Sequence, residues 1–300
     1  MSPPGSGASL AGVVIVHFGD FVPTMACVNA VQRDGSRCSR RVVIVDNGAS
    51  LVASSVAGAQ VVPLPENLGF GAGANAGILA LGPNTWDAIV VLNNDVEVAD
   101  GYLDAAVAAL SRPGVALAGG PLYLDHPGGT LWYAGGGVNW LTGTVWQAKS
   151  GRVATRARTA GFIPGAAFAA REEAWRQVGG FDPGFFLYNE DVDLCLRLRR
   201  KGWRLRYDPA MVAVHRVGAV TGSGGRSPFY LEHMAATRLR PFRPLAYRLY
   251  LAFMHTGYVL LRALRHRALA GEGGREAARA LLRGHAKALA SIRQAPRDSA

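Results

Sequence analysis

Four short stretches end buried-looking runs in residues that can do chemistry. VVIVDNGAS ends in Asp46, VVLNNDVEV in Asn93, Asn94 and Asp95, and MVAVHRVG in His215. FFLYNEDVDLCLRLRRKGW, residues 185 to 203, sets Glu190, Asp191 and Asp193 between an aromatic run and a basic amphipathic segment. A divalent cation on a diphosphate needs only one or two protein carboxylates, because phosphate oxygens and water complete its shell. Asp95 can supply one, and His215, as a neutral imidazole, can add a ligand to a manganese-like ion. Asp46 can accept the N–H of a nucleotide base. A carboxylate beside aromatic rings is desolvated and moves toward the pKa of a general base. Each stretch also has a plainer reading. D-N-G favours an Asx turn, strand ends turn, and histidines satisfy local bonds. Asn189 followed by acids suits a helix N-terminus, the acids complementing the macrodipole. Spacing within the single stretches leaves both readings open.

ENLGFGAGANAG, residues 66 to 77, is a glycine-rich turn into a small-residue helix. Gly71, Gly73 and Ala76 match G-x-G-x-x-A, a degenerate dinucleotide fingerprint. That fingerprint belongs after the first strand of a sheet and this one follows the third, while close packing explains the same glycines. Asn67 and Asn75 suit polar contacts to a nucleotide.

The elements around these residues alternate in period. AGVVIVHF, RRVVIVDN, AQVVPL and WDAIVVLNND read as strands buried on both faces, with helices over about 20 to 34, 71 to 81 and 100 to 111 between them. This predicts a doubly wound α/β layer of Rossmann type with a mainly parallel sheet, whose ligands bind beyond the strands' carboxyl ends. His17, Asp46, Asn47, Asn93, Asn94 and Asp95 stand there. Residues 115 to 170, rich in glycine and aromatics, predict a smaller antiparallel portion beside that sheet. A helix over about 190 to 201 turns Leu194, Cys195 and Leu198 to one face and Arg197, Arg199, Arg200 and Lys201 elsewhere, and Gly202 stops it. WRLRY and MVAVH follow as strands, then TGSGGRSP as a linker.

Composition narrows the function classes. Hydrophobic residues make up 49% of the 300, ample for a core. Cys27, Cys38 and Cys195 show no metal spacing and cannot close into a full disulfide set, so a reducing compartment is expected. MSPPGSGASL lacks a basic n-region and the following apolar run is of strand length, so no signal peptide is expected. The net charge of +11 resembles a nucleic-acid signal until it is located. Residues 226 to 300 carry fourteen Lys or Arg against four acids, a surplus of ten, which leaves the first 225 almost neutral. The chain therefore divides into a catalytic region, 1–225, and a basic helical C-terminal extension, 226–300.

In their order, VVIVDNGAS, ENLGFGAGANAG, VVLNNDVEV, GFIPGAAFAAREEAW, VGGFDPGFFLYNEDVDLCLRLRRKGW and VAVHRVG resemble family 2 glycosyltransferases, particularly bacterial rhamnosyltransferase-like members. The resemblance covers about residues 10 to 220. It implies a GT-A fold, a nucleotide-sugar donor, a divalent metal (Mn or Mg) and inversion at the anomeric carbon. Position by position, it implies that Asp46 contacts the base. The loop with Asn67, Gly69, Phe70 and Asn75 lines the donor pocket with Asn93 and Asn94. Asp95 matches the last acid of the family's D-x-D motif, His215 the histidine completing the metal site in some members, and Asp191 the catalytic base, with Glu190 in support. Glu190 either positions the acceptor or pairs with a tail arginine. Asn93 stands where the first acid of D-x-D is usual, so the site has one carboxylate fewer and strict metal dependence is in question. The subgroup is associated with rhamnose from a thymidine diphosphate donor.

LAYRLYLAFMHTGYVLLRALRHR, residues 245 to 267, has 13 uncharged residues from Leu249 to Leu261, too few for a spanning helix. Its basic flanks and aromatics suit a helix lying on an anionic membrane, which would place the protein in the cytoplasm on the inner face of the plasma membrane. The same pattern suits a helix packed on the catalytic region. Glycan, lipid-linked or small-molecule acceptors all fit. Two other classes compete: a nicotinamide-dependent oxidoreductase using the Gly71 loop, and a nucleic-acid-binding protein using the tail. The latter leaves Asp46, Asp95 and Asp191 unexplained, so no nucleic acid is expected.

Overall fold

A computed structural model of the chain describes residues 9–48, 56–82, 86–148, 153–216, 227–269 and 271–293. The alternating layer is β1 (Leu10–His17), α1 (Phe21–Arg33), β2 (Ser39–Asn47), β3 (Ala59–Leu64), α2 (Phe70–Leu81) and β4 (Ala88–Asn93). Then come β5 (Val96–Val98), α3 (Tyr102–Leu110), β6 (Val115–Gly119), β7 (Leu122–Tyr123), β8 (Leu131–Tyr133), β9 (Gly136–Asn139) and β10 (Thr144–Gln147). β11 (Arg158–Ala160), β12 (Ala167–Ala170), α4 (Glu172–Val178), α5 (Glu190–Arg200), β13 (Arg204–Tyr207) and β14 (Ala213–His215) complete the catalytic region. α6 (Pro228–Thr237), α7 (Leu245–Leu269) and α8 (Gly271–Ala290) form the tail.

Eight strands make one sheet in the order β11-β13-β6-β12-β4-β1-β2-β3. β1 lies parallel to both β2 and β4, and its centre is fully buried because helices cover both faces. β3 departs from the expectation of two-faced burial. It is the sheet's edge, and its residues are half-buried or exposed, none fully buried. Residues 115 to 170 also depart from it. β6, β11 and β12 enter the main sheet instead of lying beside it, and β12 runs antiparallel between β4 and β6. The runs VALAG and AFAA are buried throughout, so their backbone groups need partners on both sides. A second sheet, β5-β14-β7-β8, and the β9–β10 hairpin hold the remainder.

α5 buries Leu194, Cys195 and Leu198 as its pattern requires, but Arg197 is buried too. Its guanidinium donates to Asp193 at 2.6 Å and to the Val178 carbonyl at 2.6 Å, so the ion pair accounts for the third acid of the segment. The three cysteines are buried and free.

The tail packs on the catalytic region. Leu239, Phe242, Leu251 and Ala252 join the main core, while Leu231, Val259, Ala263 and Leu281 form a small core among α6, α7 and α8. Arg200 donates to the Pro241 carbonyl and Tyr250 to that of Leu141. α7 thus buries one face, while Phe253, Leu261 and Leu264 on the other are 80%, 69% and 62% exposed. No helix among the described residues is long and apolar enough to cross a membrane. Most of the expected linker TGSGGRSP, with the boundary at 225, lies outside the described residues.

Candidate active site

The floor of the site is the carboxyl end of β4. Antiparallel pairing of β5 with β14 sets Val96 against His215, and Arg216 N–H donates to the Asp95 carbonyl at 3.0 Å. Residues 120 apart in sequence are thereby brought together: His215 Nε2 lies 3.2 Å from Asp95 Oδ1. The two are not aligned as a hydrogen bond, and Asp95 Oδ1 and His215 Nδ1 are both buried without one. The Trp132 ring meets His215 edge-on at 4.8 Å and fixes its plane. Adjacent ligands of an octahedral cation with bonds of about 2.1 Å stand about 3.0 Å apart, so this pair fits two corners of such a shell. Among the described residues no group of three acids, histidines or cysteines could hold an ion unaided. Any cation here would therefore share its shell with ligand oxygens.

Asn94 turns away from the open side. Its amide donates to Thr24 Oγ1 at 3.1 Å, and Thr24 is also 2.6 Å from His17 Nδ1, so Asn94 ties the β4 end to α1. Asn93 is half-buried and donates its backbone N–H to the Ala166 carbonyl at 2.8 Å. Asp46 is 1% exposed and lies opposite His17 in the β1–β2 register. Burial lowers the pKa of His17, and the charge of Asp46 partly opposes that.

The loop before α2 is held by asparagines. Asn47 donates to Asn67 Oδ1 and to the Gly69 carbonyl and accepts from Leu68 N–H, and Asn67 Oδ1 also accepts from Gly69 N–H. Gly69 has φ of 85°, and a Cβ there would collide with the Phe186 carbonyl. That contact brings the loop against the segment carrying Glu190 and Asp191. Asn75 clamps the backbone of Phe181, donating to its carbonyl at 2.9 Å and accepting from its N–H at 3.0 Å. Both ends of that amide hold α2 to the 181–186 turn. Gly71 faces Phe181 and Gly73 faces Val16, each too close to admit a Cβ without movement. Close packing therefore accounts for the glycines that resemble a dinucleotide fingerprint.

Glu190 and Asp191 open α5 from an unusual turn. Tyr188 and Asn189 have φ of 66° and 65°, the two non-glycine residues with positive φ among those described. Such backbone costs about 1–3 kcal/mol per residue and persists only where its surroundings enforce it. Asn189 was expected to cap α5. It occupies the cap position, but its side chain donates to Thr237 Oγ1 of α6 at 2.8 Å and not to the helix. Tyr188 stacks edge-on against Tyr230, and Arg240 bonds Asp182 at 3.1 Å. The tail thus holds the turn, a role that no local pattern announces.

Asp191 accepts Gly165 N–H at 3.0 Å and Val192 N–H at 2.8 Å. Gly165 is also where Phe70 approaches: a Cβ there would lie 3.2 Å from Phe70 Cε1 and 3.4 Å from Asp191 Cβ. Asp191 keeps part of its surface open, while Glu190 is 6% exposed and its Oε2 lacks a hydrogen bond. Burial pushes both pKa values up, that of Glu190 to about 8 with the Asp191 charge adding to the rise. The two backbone donors favour charge on Asp191, so the pair's proton resides on Glu190. Pairing of Glu190 with a tail arginine is not found among the described residues; Arg240 goes to Asp182 instead.

The family model described as glycosyl transferase family group 2 matches residues 88–262. The chain is 31% identical over 245 residues to N-acetylglucosaminyl-diphospho-decaprenol L-rhamnosyltransferase of Mycobacterium tuberculosis, covering 72% of this chain and 76% of that protein. Among solved structures, GalNAc-T7 with UDP, GalNAc and Mn2+ aligns at a TM-score of 0.60 and 15% identity, over 94% of this chain and 56% of that one. The mannosyltransferase PcManGT from Pyrobaculum calidifontis, with GDP-Man and Mn2+, aligns at 0.54 and 15%, over 96% and 76%. These two likenesses establish the fold, GT-A, and the first reaches just over half of its structural relative.

Proposed function

The chain belongs to the family 2 glycosyltransferases and transfers sugar from a nucleotide-sugar donor, and on that premise we propose that Asp191 is its catalytic base. The observation that carries this is the Pro164-Gly165-Ala166 turn. Ala166 bonds the backbone of Asn93 at the strand end, and Gly165 bonds the carboxylate of Asp191. One turn thereby ties the candidate diphosphate end of the sheet to the candidate base. Asp191 takes the proton of the acceptor hydroxyl as that oxygen attacks the anomeric carbon from the side opposite the diphosphate, which inverts the configuration. Glu190, protonated, leaves one negative charge at the attacking face.

Asp95 and His215 are the residues that would hold a divalent cation, Mn or Mg, and such an ion when bound supplies positive charge for the departing diphosphate. Asn93 leaves that shell one carboxylate short. Asp46 reads the base from the β2 end, and the 66–70 loop, with Gly69 and Phe70, closes over the nucleotide. Asn67, Asn75 and Asn94 shape this pocket through the bonds they make to its walls.

By likeness to the mycobacterial rhamnosyltransferase, the sugar is rhamnose and the acceptor a lipid-linked sugar diphosphate of cell-envelope synthesis, and the subgroup's association makes thymidine diphosphate the donor's nucleotide. An acceptor of that kind resides in a membrane. The exposed apolar side chains of α7 support peripheral attachment to an anionic surface, on the cytoplasmic face where nucleotide sugars are available.

The test is turnover and donor binding of Asp191→Asn, measured over a panel of nucleotide sugars with and without Mn2+. Loss of a general base lowers turnover by roughly 10²–10⁴-fold while binding persists. Near-normal turnover overturns the assignment of Asp191.

A further inference from the structure

A cavity of about 50 Å³ lies among α6, α7 and α8, remote in sequence from the strand ends. Its polar lining is Tyr230, Arg238, His255, Tyr258, Arg262 and His285, and it contains no carboxylate. The acids of these helices point elsewhere. Glu232 binds Arg283 and Lys287, while Glu272 and Glu276 are exposed. Arg238 makes no ion pair among the described residues, and its guanidinium carbon lies 5.6 Å from the centre of the Tyr258 ring. Arg262 donates to the Tyr258 hydroxyl at 3.2 Å.

One histidine of the lining keeps a ring nitrogen unbonded. His255 Nε2 is 2.6 Å from the Thr142 carbonyl, which can only accept, so Nε2 carries the hydrogen. Nδ1 is then left buried with no partner, on a residue 5% exposed. Thr256 donates its hydroxyl to the Ala252 carbonyl and so accepts from His285 Nε2 at 2.9 Å. No carboxylate acts on these basic groups from the packed helices. Burial, then Arg238, lowers His255 to about 4. The same two causes lower His285, and burial lowers Arg238, with the Tyr258 hydroxyl opposing and Arg262 adding to the shift. Gathered cations without a counter-charge are costly unless an anion joins them.

We propose that this cavity is a binding site for the phosphate group of an anionic ligand, gripped by Arg238 and Arg262 with His255 Nδ1 and the Tyr258 hydroxyl. The volume holds about four water-sized spheres, the scale of a phosphate's oxygens. Guanidinium groups match phosphate geometry with paired N–H donors. Bound phosphate reverses the field on His255, so Nδ1 gains a proton and becomes a donor, and affinity rises as pH falls. Tyr258 is exposed and Arg262 half-buried, and they adjoin exposed Met254 and Leu261 on α7. An amphiphile's headgroup phosphate and free phosphate therefore share the same recognition chemistry. The site does not depend on how sugar transfer is assigned.

The test uses the full chain with isotope-labelled histidine, titrated by NMR in sodium phosphate and in chloride of equal ionic strength. In parallel, the protein is sedimented with phosphatidate and with phosphatidylcholine vesicles. The titration midpoint of His255 should rise with phosphate, or sedimentation should be selective for phosphatidate. Either response should weaken about tenfold in both Arg238→Gln and Arg262→Gln, the loss of one charge-assisted hydrogen bond. A response to free phosphate assigns a soluble ligand, and one confined to vesicles assigns a lipid headgroup. Arg262 adjoins the exposed Tyr258, so Arg262→Gln stays informative if Arg238→Gln melts early. No response to either probe, or an undiminished response in Arg262→Gln, overturns the proposal.

Discussion

At Glu190 and Asp191 two carboxyl groups adjoin in a site that tolerates one negative charge better than two. Backbone donors from Gly165 and Val192 fix the charge on Asp191, and Glu190, buried with an unbonded Oε2, keeps the proton. The folded pKa of Glu190 is about 8 against an ordinary 4.5, so between those values the folded chain binds the extra proton. Its stability therefore falls as pH rises through that window and is unaffected below it. Glu190→Gln removes the dependence. The variant should melt higher than the parent at pH 8, by on the order of a few kcal/mol of stability, and differ little at pH 4.5, as scanning calorimetry can show. Equal melting shifts at both pH values would place the pair's proton elsewhere. The FFLY run did point to a desolvated carboxylate. Which of the two acids carries the charge was not legible, because it depends on Gly165, more than twenty residues upstream.

Periodicity located the elements well where a run meets solvent or core in the ordinary way. α1, α2, α3 and α5 begin and end within a residue or two of their sequence limits. It failed where an element's partner is distant. β3 reads as buried but sits at the edge, because strand order is not written in any one strand. Asn75 and Arg197 read as polar and available, and Asn189 as a helix cap. They are engaged with Phe181, Asp193 and Thr237, of which only Asp193 lies within one helical turn. The strained turn at Tyr188 and Asn189 is the clearest case, since α6 holds it from nearly fifty residues away. Thr237→Val removes the hydroxyl that receives Asn189 while keeping the shape. It should lower turnover with little change in donor affinity and cost roughly 0.5–1.5 kcal/mol in denaturant unfolding. Parent-like turnover would show that α6 only covers the turn. Gly69→Ala acts on the opposite wall. A Cβ meets the Phe186 carbonyl at a positive φ, so donor affinity should fall along with turnover, read by nucleotide titration.

Across the molecule, positive charge and exposed apolar surface gather on the C-terminal helices. The first 225 residues are nearly neutral, and the surplus of ten positive charges belongs to residues 226 to 300, where α7 and α8 contribute side chains to the core of the catalytic region. Of the two sequence readings of α7, packing on the catalytic region is the one the contacts show. One face packs, through Leu251 and Ala252, and the other carries Leu249, Phe253, Leu260, Leu261 and Leu264 outward. Trp140 and Leu141, 53% and 69% exposed, join this ridge through the bonds of Tyr247 and Tyr250 to their carbonyls. Apolar side chains flanked by exposed Arg265 and Arg267 suit the headgroup boundary of an anionic leaflet. Removing the whole tail cannot test this, because α6 holds the Tyr188–Asn189 turn and its loss would disturb the site as well. Phe253→Ser and Leu264→Ser change the outward face alone. Each should weaken sedimentation with anionic vesicles by roughly tenfold, the loss of one large apolar side chain from the interface. Melting temperature and transfer to a water-soluble acceptor should stay at parental values. If sedimentation is unchanged in the double variant, the ridge does not face a membrane, and the basic helices bind lipid by charge alone or not at all.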